Sequence, residues 1–180
     1  MTDSNVICVI FLSRGVTLVS LLVHAVLGLL SIAALVGLNR SVFRTPAGGP
    51  KVGVLEAIYG VVGVASVVLG WYFNVRFVQH YGGTNPLWGH GASWTHYISL
   101  MFTNDAARSA SQDYTIANIV ILPLWTIVDG RRRHLSSPWL YFVISLFTSF
   151  SFAVCAYLFT LERQRRHAAS AAASPGPVAI

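Results

Sequence analysis

The chain has 180 residues, 54% of them hydrophobic and only 10% charged, against roughly 25% charged in an ordinary soluble domain. That is too little polar surface to cover a water-soluble globule, so the chain reads as an integral, multi-pass membrane protein with a bilayer as its apolar solvent; nothing in it selects an organelle. The basic excess of +6 is gathered at the ends of apolar runs, where it suits anionic lipid headgroups and not nucleic acid.

The length accommodates one helical domain and no separate soluble one. Cys8 and Cys155 lie in different surroundings and form no CxxC pair, which argues against a disulfide and against a dithiol redox enzyme.

A helix needs about 20 apolar residues to cross the hydrocarbon core. After an N-terminal segment, 1–14, the first span is predicted over 15–38, with His24 its one ionisable member. The run passes directly into Asn39, Arg40 and Arg44 with no small-residue cleavage site, so a retained helix is expected rather than a signal peptide. A second span, 57–75, is bracketed by Glu56 and Arg76.

The connection 77–112 opens with turn chemistry at Tyr81-Gly82-Gly83-Thr84-Asn85-Pro86. Further on, Trp94, Tyr97, Ile98, Met101 and Phe102 recur at spacings of three and four, the period of a one-sided helix lying in the membrane interface; an irregular loop against the bundle is the alternative. A third span is expected near 110–128, kinked at Pro123. The fourth, 138–161, opens on Pro138 and closes on Glu162-Arg163-Gln164-Arg165-Arg166. Residues 168–180 are rich in Ala, Ser and Pro and are predicted to form a disordered tail.

The expected fold is all-α: an integral membrane four-helix bundle over 15–167, with an interfacial amphipathic helix between spans two and three and both termini on one side. Four spans place Arg40, Arg44, Lys51, Arg131, Arg132 and Arg133 opposite Arg14, Arg76, Arg108, Arg163, Arg165 and Arg166, a tie under the positive-inside rule. The short arginine-dense connection 129–137 is hard to translocate, which tilts the reading toward termini outside the cytosol.

In lipid, small residues mark close helix contacts and polar residues turn toward partners. Glu56, Gly60, Gly63, Gly70 and Asn74 share a stripe on span two; Thr17, His24, Gly28 and Ser31 do so on span one. Span three adds Thr115, Asn118, Trp125 and Asp129, and span four Ser145, Thr148 and Cys155. These stripes serve either as packing faces or as the lining of a pocket for a mostly apolar ligand, oriented by His24, Asn74, Asn118 and Trp125.

No second histidine in a span completes a haem pair, and the spacing of His80, His90 and His96 fits no zinc motif. Neither a metal nor another cofactor is expected. Asp105, Asp113 and Asp129 flank span three at an apolar boundary, where a carboxyl group can serve as acid or base. Ion pairing with Arg108 or with Arg131, Arg132 and Arg133 is the structural alternative.

Polar punctuation runs through the second half of the chain in a fixed order: Tyr72-Phe73-Asn74, Phe102-Thr103-Asn104, Ala106-Ala107-Arg108-Ser109, Asp113, Asp129-Gly130-Arg131-Arg132, Trp139 and Leu161-Glu162-Arg163. Over about 55–166 the chain thereby resembles the small multi-pass membrane proteins grouped as domain of unknown function 2834. Members usually have three spans, so the resemblance implies that the first span is an addition. Where they often carry Glu before Gly-Arg-Arg or Ala-Arg-Arg, this chain has Asp129. The resemblance implies a helical bundle and brings no activity, so it transfers no catalytic residue.

More distantly, the chain resembles small helical membrane enzymes that cyclise or isomerise isoprenoids, in size and in having carboxylates at helix ends. It departs from four-helix multidrug exporters, which carry a Glu in the first helix. Three readings therefore stand. The first is an accessory protein contacting membrane lipids or a lipophilic small molecule, with self-association left open. The second is a cyclase or isomerase acting on an isoprenoid or other lipophile in a secondary-metabolite pathway, with Asp113, Asp105 or Asp129 as acid or base. The third is a small-molecule transporter.

Overall fold

A computed structural model describes residues 3–46, 50–83, 85 and 87–173, with side chains from Leu21 onward. Its regular elements are α1 (Asp3–Leu38), α2 (Arg40–Phe43), α3 (Val54–Tyr81), α4 (Trp94–Leu100), α5 (Asp105–Ile116), α6 (Leu122–Arg132), α7 (Leu140–Phe147) and α8 (Phe150–Ala173). Among the described residues, two helices, α1 and α3, are long and apolar enough to cross a membrane, and only 11% of the residues in each apolar stretch are buried. Their outward faces expose Leu22, Leu29, Val61, Val68 and Leu69. A helix that is apolar all round and left uncovered by protein needs an apolar solvent.

One continuous helix is formed by α5 and α6, joined through a π turn at Ala117–Ile121 in which Leu122 N–H reaches back five residues to the Ala117 carbonyl. Pro123 follows directly. In a regular helix its ring would strike the carbonyl four residues earlier and its missing N–H would break the ladder. The wider π turn accommodates both, so the kink expected at Pro123 takes the form of a local widening just before it.

The expected fourth span, 138–161, is instead a hairpin of two antiparallel helices. Tyr141 Oη donates to Thr160 Oγ1 at 2.7 Å, and the Tyr141 and Tyr157 rings meet edge to face at 4.9 Å. Helix α7 runs along α1, where a Cβ on Gly28 would lie 3.2 Å from Thr148. Helix α8 returns along α3: Ser149 Oγ is 2.9 Å from Ser66 Oγ, and Phe152 and Cys155 close on Gly63.

The chain thus turns back beside Ser66, near the middle of α3. Thr148 leaves the helical region at φ −120, ψ −89. Ser149 Oγ accepts the Phe152 N–H at 3.0 Å, an N-cap for α8, while Thr148 Oγ1 donates to the Ile144 carbonyl at 2.6 Å. The core gathers around this hairpin, with Tyr141, Ile144, Ala153 and Tyr157 against Leu35 and Leu122.

Polar contacts fasten the hairpin's base. Asn39 Nδ2 donates to the carbonyls of Leu35 (2.9 Å) and Ser136 (3.0 Å), while its Oδ1 accepts the Ser136 N–H at 2.8 Å. Glu56, fully buried, accepts the Gly53 N–H at 2.8 Å and so closes the first turn of α3. Its other partners come from α8: Arg166 donates to Oε2 at 2.6 Å, and Arg163 Nε stands 3.2 Å from Oε1, close as a charge but not aligned as a hydrogen bond.

Arg163 and Arg166 also donate to the carbonyls of Lys51 and Pro50, and Gln164 donates to that of Arg133 at 3.1 Å. Arg163, Arg165 and Arg166 therefore stand at the same end as Arg40, Arg44, Lys51, Arg131, Arg132 and Arg133. This corrects the two-sided charge balance that four full spans imply. Residues 168–173, expected within a disordered tail, continue α8. Residues 174–180 and the side chains of Cys8, Arg14 and Thr17 lie outside the described residues.

Candidate functional site: a cavity beyond the hairpin tip

Because the hairpin turns back at Thr148, the other half of the bundle is left unfilled, and a cavity of about 450 Å³ lies there. Its floor is the hairpin tip, Ser145 to Ser149; α1 contributes His24, and α3 contributes Trp71, Asn74 and Phe77. Tyr114, Thr115 and Asn118 form the wall on the α5–α6 side. The remaining side is closed by α4 and the residues that follow it. Ser93 N-caps this short helix, accepting the His96 N–H at 3.2 Å, and the stripe Trp94, Tyr97, Ile98, Met101, Phe102 faces the cavity. The periodicity that marks α4 in the sequence thus corresponds to one aromatic face.

The polar groups converge from several elements. Asn118 lies in the π turn and is buried; its Oδ1 accepts from Ser145 Oγ at 2.7 Å, and its Nδ2 donates to Tyr114 Oη at 3.3 Å. His24 sets its ring edge-on to Phe147 at 6.0 Å. Asn74 borders the cavity, and its amide makes no hydrogen bond to the described residues. No Asp, Glu, Lys or Arg lines the cavity among those residues. The lining therefore offers hydrogen-bonding groups, the His24 imidazole among them, within an aromatic wall.

Three of the four sequence-derived pocket residues, His24, Asn74 and Asn118, meet in this cavity. Trp125 stands apart, edge-on to Tyr157 at 4.9 Å. The carboxylates lie elsewhere. Asp105 is fully exposed and 3.6 Å from Arg108, Asp113 is exposed on α5, and neither borders the cavity.

Asp129 belongs to the base of the hairpin, one residue past the apolar stretch. Its Oδ2 accepts from Tyr157 Oη at 2.6 Å and from Arg133 Nε at 2.7 Å. The tyrosine hydrogen bond first, then Arg133, hold its carboxyl below the usual carboxylate range despite partial desolvation.

The glycine stripe divides by position. A Cβ on Gly63 would lie 3.2 Å from Phe152 and 3.3 Å from Cys155, whereas one on Gly60 or Gly70 would meet nothing within 4 Å. Close packing therefore rests on Gly63, and Gly70 opens into the cavity. His80 and His96 sit against the Tyr81 ring at 4.7 and 4.6 Å, with His96 Nδ1 2.8 Å from the Gly91 carbonyl. Among the described residues, no three His, Cys, Asp or Glu side chains come together as a metal site.

Sequence reasoning missed Ser66, Ser149 and the turn they support. The only signal was a cluster of hydroxyls, Ser145, Thr148, Ser149 and Ser151, inside an otherwise apolar run.

The sequence profile of the family described as "Protein of unknown function DUF2834" matches residues 58–163, from the first turns of α3 to Arg163 in α8. The match covers more than half of the chain, and the chain belongs to this family. Helix α1, with its His24, lies outside the match. No curated protein and no solved structure matches the chain.

Proposed function

We propose that this is an integral membrane protein that crosses the bilayer with α1, α3 and the continuous α5–α6 helix, inserts α7–α8 as a re-entrant hairpin, and binds a lipophilic molecule beyond the hairpin's tip. The observation that carries the reading is the cavity itself. Its volume of about 450 Å³ lies within the range of small-ligand sites, about 300–1,000 Å³, and its few polar groups converge on an apolar lining. Non-helical backbone at membrane depth is tolerated where it is buried in protein or lines a cavity. The Thr148–Ser149 turn borders the cavity and is held by Ser66 and its own cap. The carboxylates stand outside the cavity, which favours binding over acid–base catalysis on its occupant.

The re-entrant reading also orients the molecule. Nine of the twelve Lys and Arg residues stand at the hairpin's base: Arg40, Arg44, Lys51, Arg131, Arg132, Arg133, Arg163, Arg165 and Arg166. Arg76, in the last turns of α3, and Arg108, in the first turn of α5, stand on the other side. Lys and Arg next to spans are retained in the cytosol, so the base is the cytosolic face and the cavity lies toward the opposite leaflet.

Gly70→Leu tests the binding function, because Gly70 lines the cavity and a Cβ there meets nothing within 4 Å. Native mass spectrometry of the wild type incubated with a membrane lipid extract is expected to show a retained small lipophile. Gly70→Leu should lose that adduct and keep the wild-type melt. Equal retention by the two proteins would overturn the assignment to this cavity.

A further inference from the structure

Given a lipophile in the cavity, the wall restricts its chemistry in three ways. Charge is the first. No Asp, Glu, Lys or Arg lines the site among the described residues, and its one basic group is the His24 imidazole; a carboxylate or phosphate taken from water finds no permanent cation there to offset its desolvation. Fatty-acid anions and phospholipid headgroups are thereby disfavoured.

Hydrogen bonding is the second. The Asn74 amide makes no hydrogen bond to the described residues and offers two N–H donors. Tyr114 Oη accepts from Asn118, leaving its own proton available as a further donor at the wall. A bare acyl chain would leave these donors unmatched, whereas a carbonyl oxygen accepts from such a donor.

Shape is the third. Trp71, Asn74 and Phe77 are spaced three apart on α3, and all three line the cavity, so the amide is flanked by an aromatic ring one turn to either side. Trp94 and Tyr97 on α4 and Phe147 at the hairpin tip complete the aromatic surface. Flat rings are held by such walls through offset and edge-to-face contacts.

From these observations we infer that the occupant is an uncharged lipid whose head is a planar, carbonyl-bearing ring of the quinone type, received between Trp71 and Phe77 with Asn74 donating to a ring carbonyl. This inference rests on the lipophile-binding reading above, and its test separates the two. Purified protein is melted in detergent with decylubiquinone, dodecanol or dodecanoate, since a ligand that binds only the folded state raises the melting temperature saturably.

Decylubiquinone is expected to raise it, with dodecanol and dodecanoate giving little shift. Asn74→Leu should weaken the quinone response roughly tenfold. Phe77→Leu, which removes a ring but keeps an apolar wall, should weaken it as well and leave dodecanol unaffected; it gives an independent reading if Asn74→Leu fails to melt cooperatively. Dodecanol or dodecanoate matching the quinone would overturn the ring-lipid inference while leaving lipophile binding intact. No shift with any of the three would overturn both. An unchanged quinone response in Asn74→Leu and Phe77→Leu would remove the ring from this position.

Discussion

Glu56 shows how much a single buried charge can organise. Its carboxylate caps α3 through Gly53 and holds Arg163 and Arg166 of α8 at 3.2 and 2.6 Å. Removing one partner of a buried ion pair leaves the other charge desolvated and uncompensated, at a cost of about 3–5 kcal/mol. Glu56→Ala should therefore destabilise the protein by that amount. Glu162 pairs with Arg165, whose side chain is 73% exposed, and such surface pairs contribute about 0–1 kcal/mol; Glu162→Ala should stay within that limit. Denaturant titration in one detergent checks both, and equal losses would show that burial of Glu56 is not what gives it weight.

Asp129 adds a pH-dependent residue at the same end. Its carboxyl is held below its ordinary value of 3.8 by Tyr157 and Arg133. A carboxyl with a lowered folded-state pKa stabilises fully above the unfolded value and loses that contribution as pH falls through the folded value. The melting gap between wild type and Asp129→Asn should thus be constant from about pH 7 to 5 and shrink below about 3.8. A gap that widens toward acid would reverse the sign of the assignment.

At the scale of elements, the α7–α8 hairpin depends on one close approach and one turn. Helix α8 lies against α3 at Gly63, where a Cβ would already crowd Phe152 and Cys155. Gly63→Leu must push the helices apart, and overpacking of this kind costs about 1–3 kcal/mol. Val62, one residue away, is exposed, and Val62→Leu should change the melt little. Equal losses from the two substitutions would remove Gly63 from the interface.

The π turn is the second device at this scale. It absorbs Pro123 and also places Asn118 toward Ser145, so one irregularity serves the helix and the cavity wall together.

At the scale of the whole molecule, the proposed re-entrant hairpin sets the expected sidedness. In that arrangement α8 returns to the base, so Ala168 and Arg132 share a face, and Leu87, in the connection after α3, lies on the other. Four full spans would instead place Ala168 with Leu87. Single cysteines at these positions, introduced with Cys8→Ser, distinguish the two arrangements, because Cys155 is buried. In right-side-out membrane vesicles, a membrane-impermeant maleimide is expected to label Leu87→Cys and to reach Ala168→Cys and Arg132→Cys only after permeabilisation. Labelling of Ala168→Cys together with Leu87→Cys would overturn the re-entrant topology.

Residue order alone marked the apolar helical runs and the polar groups within them, because those properties are local. Run length and charge bracketing marked α1 and α3, the three-and-four spacing marked α4, and His24, Asn74 and Asn118 stood out as polar groups in apolar runs. Tertiary structure decided that 138–161 folds back, that Arg163, Arg165 and Arg166 join the cations at the opposite end, and that Asp105, Asp113 and Trp125 stand outside the cavity. The physical reason is that lipid and a protein interior are equally apolar surroundings for Leu or Phe, so an uncharged run of this length is satisfied by crossing the membrane or by entering and returning. The return is selected by partners distant in sequence: Glu56 for Arg163 and Arg166, Ser66 for Ser149, Gly63 for Phe152 and Cys155, and Thr160 for Tyr141.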